Sequence, residues 1–165
     1  METKAVISIV SSIIVLAAIA GAAYYFLFYV SGDEINTDFE VGDFVEYRVT
    51  TDGINSTLRH DVIAVNEDGT YEVKKTDGGT TTTKTMTKKE VKELISIPDS
   101  ELSDFDKQTF TEKVSTPFGD FRCKLYSGKI SGFEEKIWVG KDNVIYKLEV
   151  KDLMTMELKN TTFFD

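Results

Sequence analysis

Phe121-Arg122-Cys123-Lys124-Leu125-Tyr126 sets Phe121, Cys123 and Leu125 on one side of an extended chain and Arg122, Lys124 and Tyr126 on the other. A period of two residues is that of a strand with one dry face and one wet face. The pattern continues in both directions. Upstream, Phe110, Glu112 and Val114 alternate with polar neighbours, and Thr116-Pro117-Phe118-Gly119 reads as a turn. Downstream, a glycine-bracketed turn at 128–132 leads into Glu135-Lys136-Ile137-Trp138-Val139. Lys141-Asp142-Asn143 then turns into a run that aligns Val144, Tyr146, Leu148 and Val150, and Met154, Met156 and Leu158 extend the alternation.

The first half of the chain repeats the theme. Val41-Gly42-Asp43 precedes Phe44-Val45-Glu46-Tyr47-Arg48-Val49-Thr50, in which Val45, Tyr47 and Val49 share a face. Asp52-Gly53 is a hairpin signal, residues 58–65 form a less regular run, and Asn66-Glu67-Asp68-Gly69 closes it. Tyr71 and Val73 lie on one face before Asp77-Gly78-Gly79 turns again. Residues 80–87 hold six threonines, whose β-branching and hydroxyls suit a solvated edge strand. A glycosylated threonine tract is the alternative, but prolines are missing. Thr87 and Glu90 have the spacing of a capping box, Val91, Leu94 and Ile95 form one stripe, and Pro98 ends the run. These elements imply a mainly β fold: one antiparallel sheet or open barrel of about eight strands with one short helix.

Residues 5–30 carry no acidic, basic or amide side chain. At about 1.5 Å per residue a helix of this length reaches roughly 39 Å, enough to cross a bilayer. The expectation is an N-terminal transmembrane anchor through Ala5, Ile9, Ile13, Leu16 and Ile19, with Tyr24, Tyr25, Phe28 and Tyr29 at the headgroup level. Two alternatives stand beside it. Ala18-Ile19-Ala20 fits a signal-cleavage site, though a cut there would leave the aromatic cluster exposed near the new terminus. A pilin-like filament stem is the other, but only Met1-Glu2-Thr3-Lys4 stand where a basic leader would be. Lys4 and the α-amino group before the run imply an N-terminus in the cytoplasm and the rest outside, the acidic residues after the run counting for little. The division is therefore an anchor at 1–30, an acidic spacer at 31–40 and an extracytoplasmic β domain at 41–165. Asn55-Ser56-Thr57 and Asn160-Thr161-Thr162 make Asn55 and Asn160 candidate glycosylation sites in that domain.

Lys4 and Glu2 cancel, so the region after the apolar run carries the whole net charge of −9. Such a domain repels phosphate backbones, which argues against nucleic-acid partners. Cys123 is the only cysteine and His60 the only histidine, so neither a disulfide nor a cysteine zinc site can form within the chain. His60 and Asp61 are neighbours on a strand and point to opposite faces. A Cys123–His60 couple is the one nucleophilic pairing the composition allows, and no phosphate-cradling loop is present. The carboxylates at Asp99, Glu101, Asp104 and Asp106 lack the spacing and glycine of an EF-hand, so 98–107 reads as a solvated acidic loop rather than a calcium site. No catalytic residue, metal or cofactor is expected.

Four blocks carry a resemblance: Val41-Gly42-Asp43-Phe44-Val45-Glu46-Tyr47, Thr116-Pro117-Phe118-Gly119-Asp120-Phe121, Trp138-Val139, and Val144-Ile145-Tyr146-Lys147-Leu148. Together they resemble envelope proteins of the lipoprotein-localisation-factor type. That resemblance implies a strongly curved antiparallel sheet around a helix and a cavity. Cys123 departs from the lipid-anchored forms, being too late in the chain to carry a lipid.

Two functions follow as expectations. One is a membrane-anchored binding module for an apolar ligand or an envelope protein, with Tyr47, Tyr71, Phe121, Trp138 and Tyr146 as a candidate ligand or partner face, against core packing as the plainer role. The other is a structural or assembly protein, including a pilin-like subunit, in which the small residues Ala17, Ala18, Ala20, Gly21, Ala22 and Ala23 let helices approach. A cavity above about 300 Å³ in the sheet's concave face would favour the first.

Overall fold

The computed structural model describes residues 31, 32, 34–130 and 132–164. The expected anchor and its residues lie outside them. Among the described residues no helix is long and apolar enough to cross a membrane.

The first four strands are a meander: β1 Phe44–Thr51, β2 Ile54–Val65, β3 Tyr71–Asp77 and β4 Thr80–Met86. Two of its turns are two-residue loops. Thr51 faces Ile54 across Asp52-Gly53, whose φ values of 52° and 77° are the positive pair that matches strand twist. A connection then holds two short helices, α1 Lys88–Lys92 and α2 Asp99–Leu102. The second meander comprises β5 Asp106–Ser115, β6 Asp120–Ile130, β7 Phe133–Val139, β8 Ile145–Val150 and β9 Met154–Thr161, with a 3-10 turn at Lys141–Asn143.

All nine strands join one antiparallel sheet in the order β4-β3-β2-β1-β9-β8-β7-β6-β5. The order is linear, so the sheet is open, with β4 and β5 as its edges. Among the described residues there are nine strands and two helices, where about eight and one are expected. The added helix, α2, falls in the stretch read as an acidic loop. Pro98 stands at its N-cap, where a fixed φ suits helix entry, and buried Leu102 holds it down. The threonine strand is the exposed edge that β-branching implies. The capping box also forms: Glu90 N donates to Thr87 Oγ1 at 3.3 Å, and Thr87 N donates to Glu90 Oε2 at 2.8 Å.

Register shifts interrupt four strand pairs, and two of them bear on the expected alternation. Between β7 and β8 the register jumps, with Trp138 facing Lys147 and Val139 facing Ile145. The bulge leaves Tyr146 unopposed, so Tyr146 enters the main core while Leu148 joins a different cluster. The expected alignment of Tyr146 with Leu148 therefore breaks. Beside the shift between Lys107 and Thr111, where four residues of β5 advance against two of β6, Thr111 is buried and Phe110 half exposed.

The stretch read as a spacer packs on the domain. Ile35 bridges to Phe164, and Phe39 lies buried against Phe163 and edge-on to Tyr71. Ser31 is fastened to the start of β6, its N–H donating to the Arg122 carbonyl at 2.9 Å and its Oγ accepting from Arg122 N at 2.6 Å.

Candidate functional site

The chain joining the two meanders is stitched to β8. Over Lys147 to Val150, β8 pairs with β9. At its other end β8 meets the connection instead: Ile145 N donates to the Ile95 carbonyl at 2.9 Å and Ile97 N to the Asn143 carbonyl at 3.1 Å. Asn143, held at φ 58°, turns its Nδ2 to donate to Asp99 Oδ1 at 2.8 Å. These bonds fix where the connection runs.

Its residues divide between two apolar clusters. Val91 and Ile95 enter the main core, which spans both meanders and includes Val45, Val73, Leu125, Leu158 and Phe163. Ile97 and Leu102 enter a smaller one with Ile137 and Val139, flanked by Phe105, Tyr126, Ile145 and Leu148. Ile137 and Val139 alternate with Trp138, so the clusters occupy opposite faces of β7.

The small cluster does not fill its space. A half-open cleft of about 710 Å³ separates the connection from the sheet. Ile137, Ile145 and Leu148 form its sheet side, and Ile97, Pro98 and Phe105 the other. Around them stand Glu93, Glu101, Asp104 and Glu135, with Lys129 as the one cation of the lining. Burial pushes the Glu135 carboxyl above its ordinary value. The volume and the apolar lining are those of small-ligand pockets.

The expected aromatic face is assembled, but inside the main core. Tyr47, Tyr71, Trp138 and Tyr146 are buried there, and Phe121 packs against them. Phe121 stacks on Tyr146 at 3.9 Å between ring centroids. The Tyr47 hydroxyl donates to the Leu94 carbonyl at 3.0 Å, and burial holds its phenol well above the ordinary range. Trp138 Nε1 donates to Glu112 Oε1 at 2.7 Å. The space sought beneath these rings lies across β7 from them.

The other singled-out residues are dispersed. Asn55 and Asn160 are exposed on β2 and β9. His60 sits on β2 and Cys123 on β6, with β1, β9, β8 and β7 between them in the sheet. Burial pushes the Cys123 thiol up to about 12, with the Glu112 charge adding to it. Burial, then the charge of Lys75, lowers the His60 value, while Asp61 faces Arg59 at 2.8 Å. Asp99, Glu101, Asp104 and Asp106 are not gathered, and among the described residues no group of three or more His, Cys, Asp or Glu side chains is placed to hold a metal.

The cleft was missed because its lining is split between a strand face opposite Trp138 and a stretch dominated by carboxylates. The available signal was the apolar punctuation of that stretch by Ile97, Leu102 and Phe105.

In class, this is a mainly β domain on one open antiparallel sheet, with an apolar cleft under the helical connection between its halves. No protein-family model matches the sequence, and no curated protein matches it. Among solved structures it is similar to a chain of the Pseudomonas aeruginosa MucA/MucB complex, with TM-score 0.48 and 11% identity over 78% of this chain and 54% of that one. MucB in complex with MucA(peri) gives 0.48 and 10% over 78% and 53%, and MucB alone 0.43 and 10% over 74% and 53%. The chain spans about half the length of these structures. All three likenesses are at low sequence identity. They assign neither family nor ligand.

Proposed function

We propose that the chain is a single-pass, membrane-anchored binding module without catalytic activity, its β domain outside the cytoplasm and its ligand an apolar group held in the cleft. The cleft of about 710 Å³ beneath residues 93–105 is the observation that carries this reading. Burying a hydrocarbon chain there is favourable by about 25 cal/mol per Å² of apolar surface removed from water. The anchor is residues 5–30. Ser31, which follows it, is bound to the domain beside Arg122 and Lys141.

The test uses the full chain in phosphatidylcholine nanodiscs, with empty nanodiscs as the blank. Saturation-transfer NMR is expected to show 1-hexanol binding to the wild type and not to Leu148→Asp, which places a charge on the cleft wall. Equal signals from the two proteins would remove the cleft from the account. Protease added to intact cells is expected to trim the domain; full protection would reverse the topology.

A second reading, as a structural or assembly subunit, draws support from the filled aromatic face and the open edges β4 and β5. Native mass spectrometry giving only monomers would count against it.

A further inference from the structure

The carboxylates of this domain are treated in two ways. On β2, β1 and β9 they are neutralised by neighbours: Asp61 lies 2.8 Å from Arg59 and 3.8 Å from Lys74, Glu46 lies 3.4 Å from Arg59 and 2.8 Å from Lys159, and Glu157 pairs with Arg48. At the cleft they are not. Glu93 pairs with Lys89 at 3.6 Å, but among the described residues Glu101, Asp104 and Glu135 have no ion-pair partner. Among the described residues Lys129 is the single cation of the lining.

We propose that the cleft is selective for a ligand with an apolar body and a cationic head, of which an alkylammonium is the simplest form. The claim rests on the cleft being a binding site and adds the charge of what it takes. Ile137, Ile145, Leu148 and Phe105 supply the apolar contact, and Glu101, Asp104 and Glu135 ring it with negative charge. A carboxylate or phosphate head would meet like charge at the mouth, which costs affinity and suppresses wrong partners. A cation meets the reverse. It also favours the ionised form of Glu135, which burial disfavours.

The chain length of the ligand can be held fixed while its head is varied. Hexylammonium, 1-hexanol and hexanoate are titrated against the full chain in phosphatidylcholine nanodiscs by saturation-transfer NMR, again with an empty-disc blank. Hexylammonium is expected to bind about tenfold tighter than hexanol, a difference of about 1.4 kcal/mol, with hexanoate weaker than both. Glu135→Gln and Glu101→Gln are each expected to reduce the preference at least twofold, hexylammonium affinity falling more than hexanol affinity. Glu67→Gln, in the turn between β2 and β3, alters the net charge equally and is expected to leave the preference intact. Thermal unfolding of each variant verifies that it folds, and Glu101, being exposed, is the safer of the two cleft substitutions.

Equal affinity for the three heads would overturn the claim and leave the apolar cleft standing. A preference that Glu67→Gln lowers as much as the cleft variants would reduce it to net charge, and so overturn it as well. Failure of all three compounds to bind would overturn the binding-site reading and this claim with it.

Discussion

The two faces of β7 offer a direct comparison. On one, Trp138 belongs to a core closed from both ends of the chain: Ile35 and Phe39 come from before β1, Phe163 from after β9, and Val91 and Ile95 from the connection. On the other, Ile137 and Val139 are covered by Ile97 and Leu102, and a cleft remains beside them. The same strand thus supports a buried, many-sided core and a layer with room to spare. Interiors approach crystal-like density, so a space of this size beside apolar side chains is a departure that calls for an occupant or for solvent.

Truncation should separate the two layers most strongly. Leu158 is fully buried in the closed core, and Leu158→Ala is expected to lower unfolding stability by about 2–5 kcal/mol. Leu148 is only partly buried at the cleft, and Leu148→Ala is expected to cost less than about 1.5 kcal/mol, because its neighbours already border open space. Urea unfolding of both variants checks this. Similar losses would mean that the cleft side bears on stability as much as the core does.

Two glycines sharpen the contrast at lower cost. A Cβ on Gly140 would lie 2.8 Å from the Ser31 carbonyl oxygen and 3.0 Å from Tyr146 Cδ2, against backbone and a fully buried ring. Gly140→Ala is expected to destabilise by about 1–3 kcal/mol, as overpacking does. A Cβ on Gly128 would lie 2.7 Å from Phe105 Cδ1, and Phe105 lines the cleft with room to move. Gly128→Ala is expected to cost less than Gly140→Ala while changing hexanol affinity. The reverse ranking in thermal unfolding would place the rigid layer on the wrong side of β7.

The sequence announced strands wherever a two-residue period ran unbroken, as in Phe121, Cys123 and Leu125, and it announced α1 through Thr87 and Glu90. It hid the places where extra residues interrupt the pairing. At Tyr146 nothing in the local pattern distinguishes a bulge from continued alternation, because Val144, Tyr146, Leu148 and Val150 are all apolar. At the 107–111 shift the same ambiguity exchanges Phe110 for Thr111. The cleft was illegible for a related reason. Ile97, Leu102 and Phe105 follow neither a strand nor a long-helix period, and their role depends on β8 accepting the connection beside Asn143. That is a tertiary bond, not a local preference.

Charge gives a smaller effect than packing. Arg59 ties the outer face together, meeting Asp61 and Glu46 and lying 3.7 Å above the Phe44 ring. Arg59→Ala is expected to cost about 1 kcal/mol, and part of that should vanish in high salt because the side chain is about a third exposed. A salt-independent loss of the same size would assign the effect to the ring contact instead.

The pH dependence of stability should carry opposite signs in the two regions. Hydrogen bonding and charge from Lys159, reinforced by Arg59, hold Glu46 below its ordinary 4.5. A lowered carboxyl contributes stability that is present above 4.5 and disappears as the pH falls through the folded-state value. Glu135 lies above 4.5 through burial. A raised carboxyl lowers stability while it is ionised above its folded-state value, and that penalty is relieved as the pH drops toward 4.5. Acidification from neutrality should therefore relieve the cleft before it weakens the outer face. Urea midpoints between pH 7 and pH 3 are expected to show Glu135→Gln more stable than wild type at neutral pH, with the gap closing by about pH 4.5. A gap that persisted to pH 3 would mean that the carboxyl's charge is not what burial penalises there. Over the same range hexylammonium affinity should fall as Glu135 takes up its proton, while hexanol affinity stays level; parallel losses would point to the connection opening, not to a single carboxyl titrating.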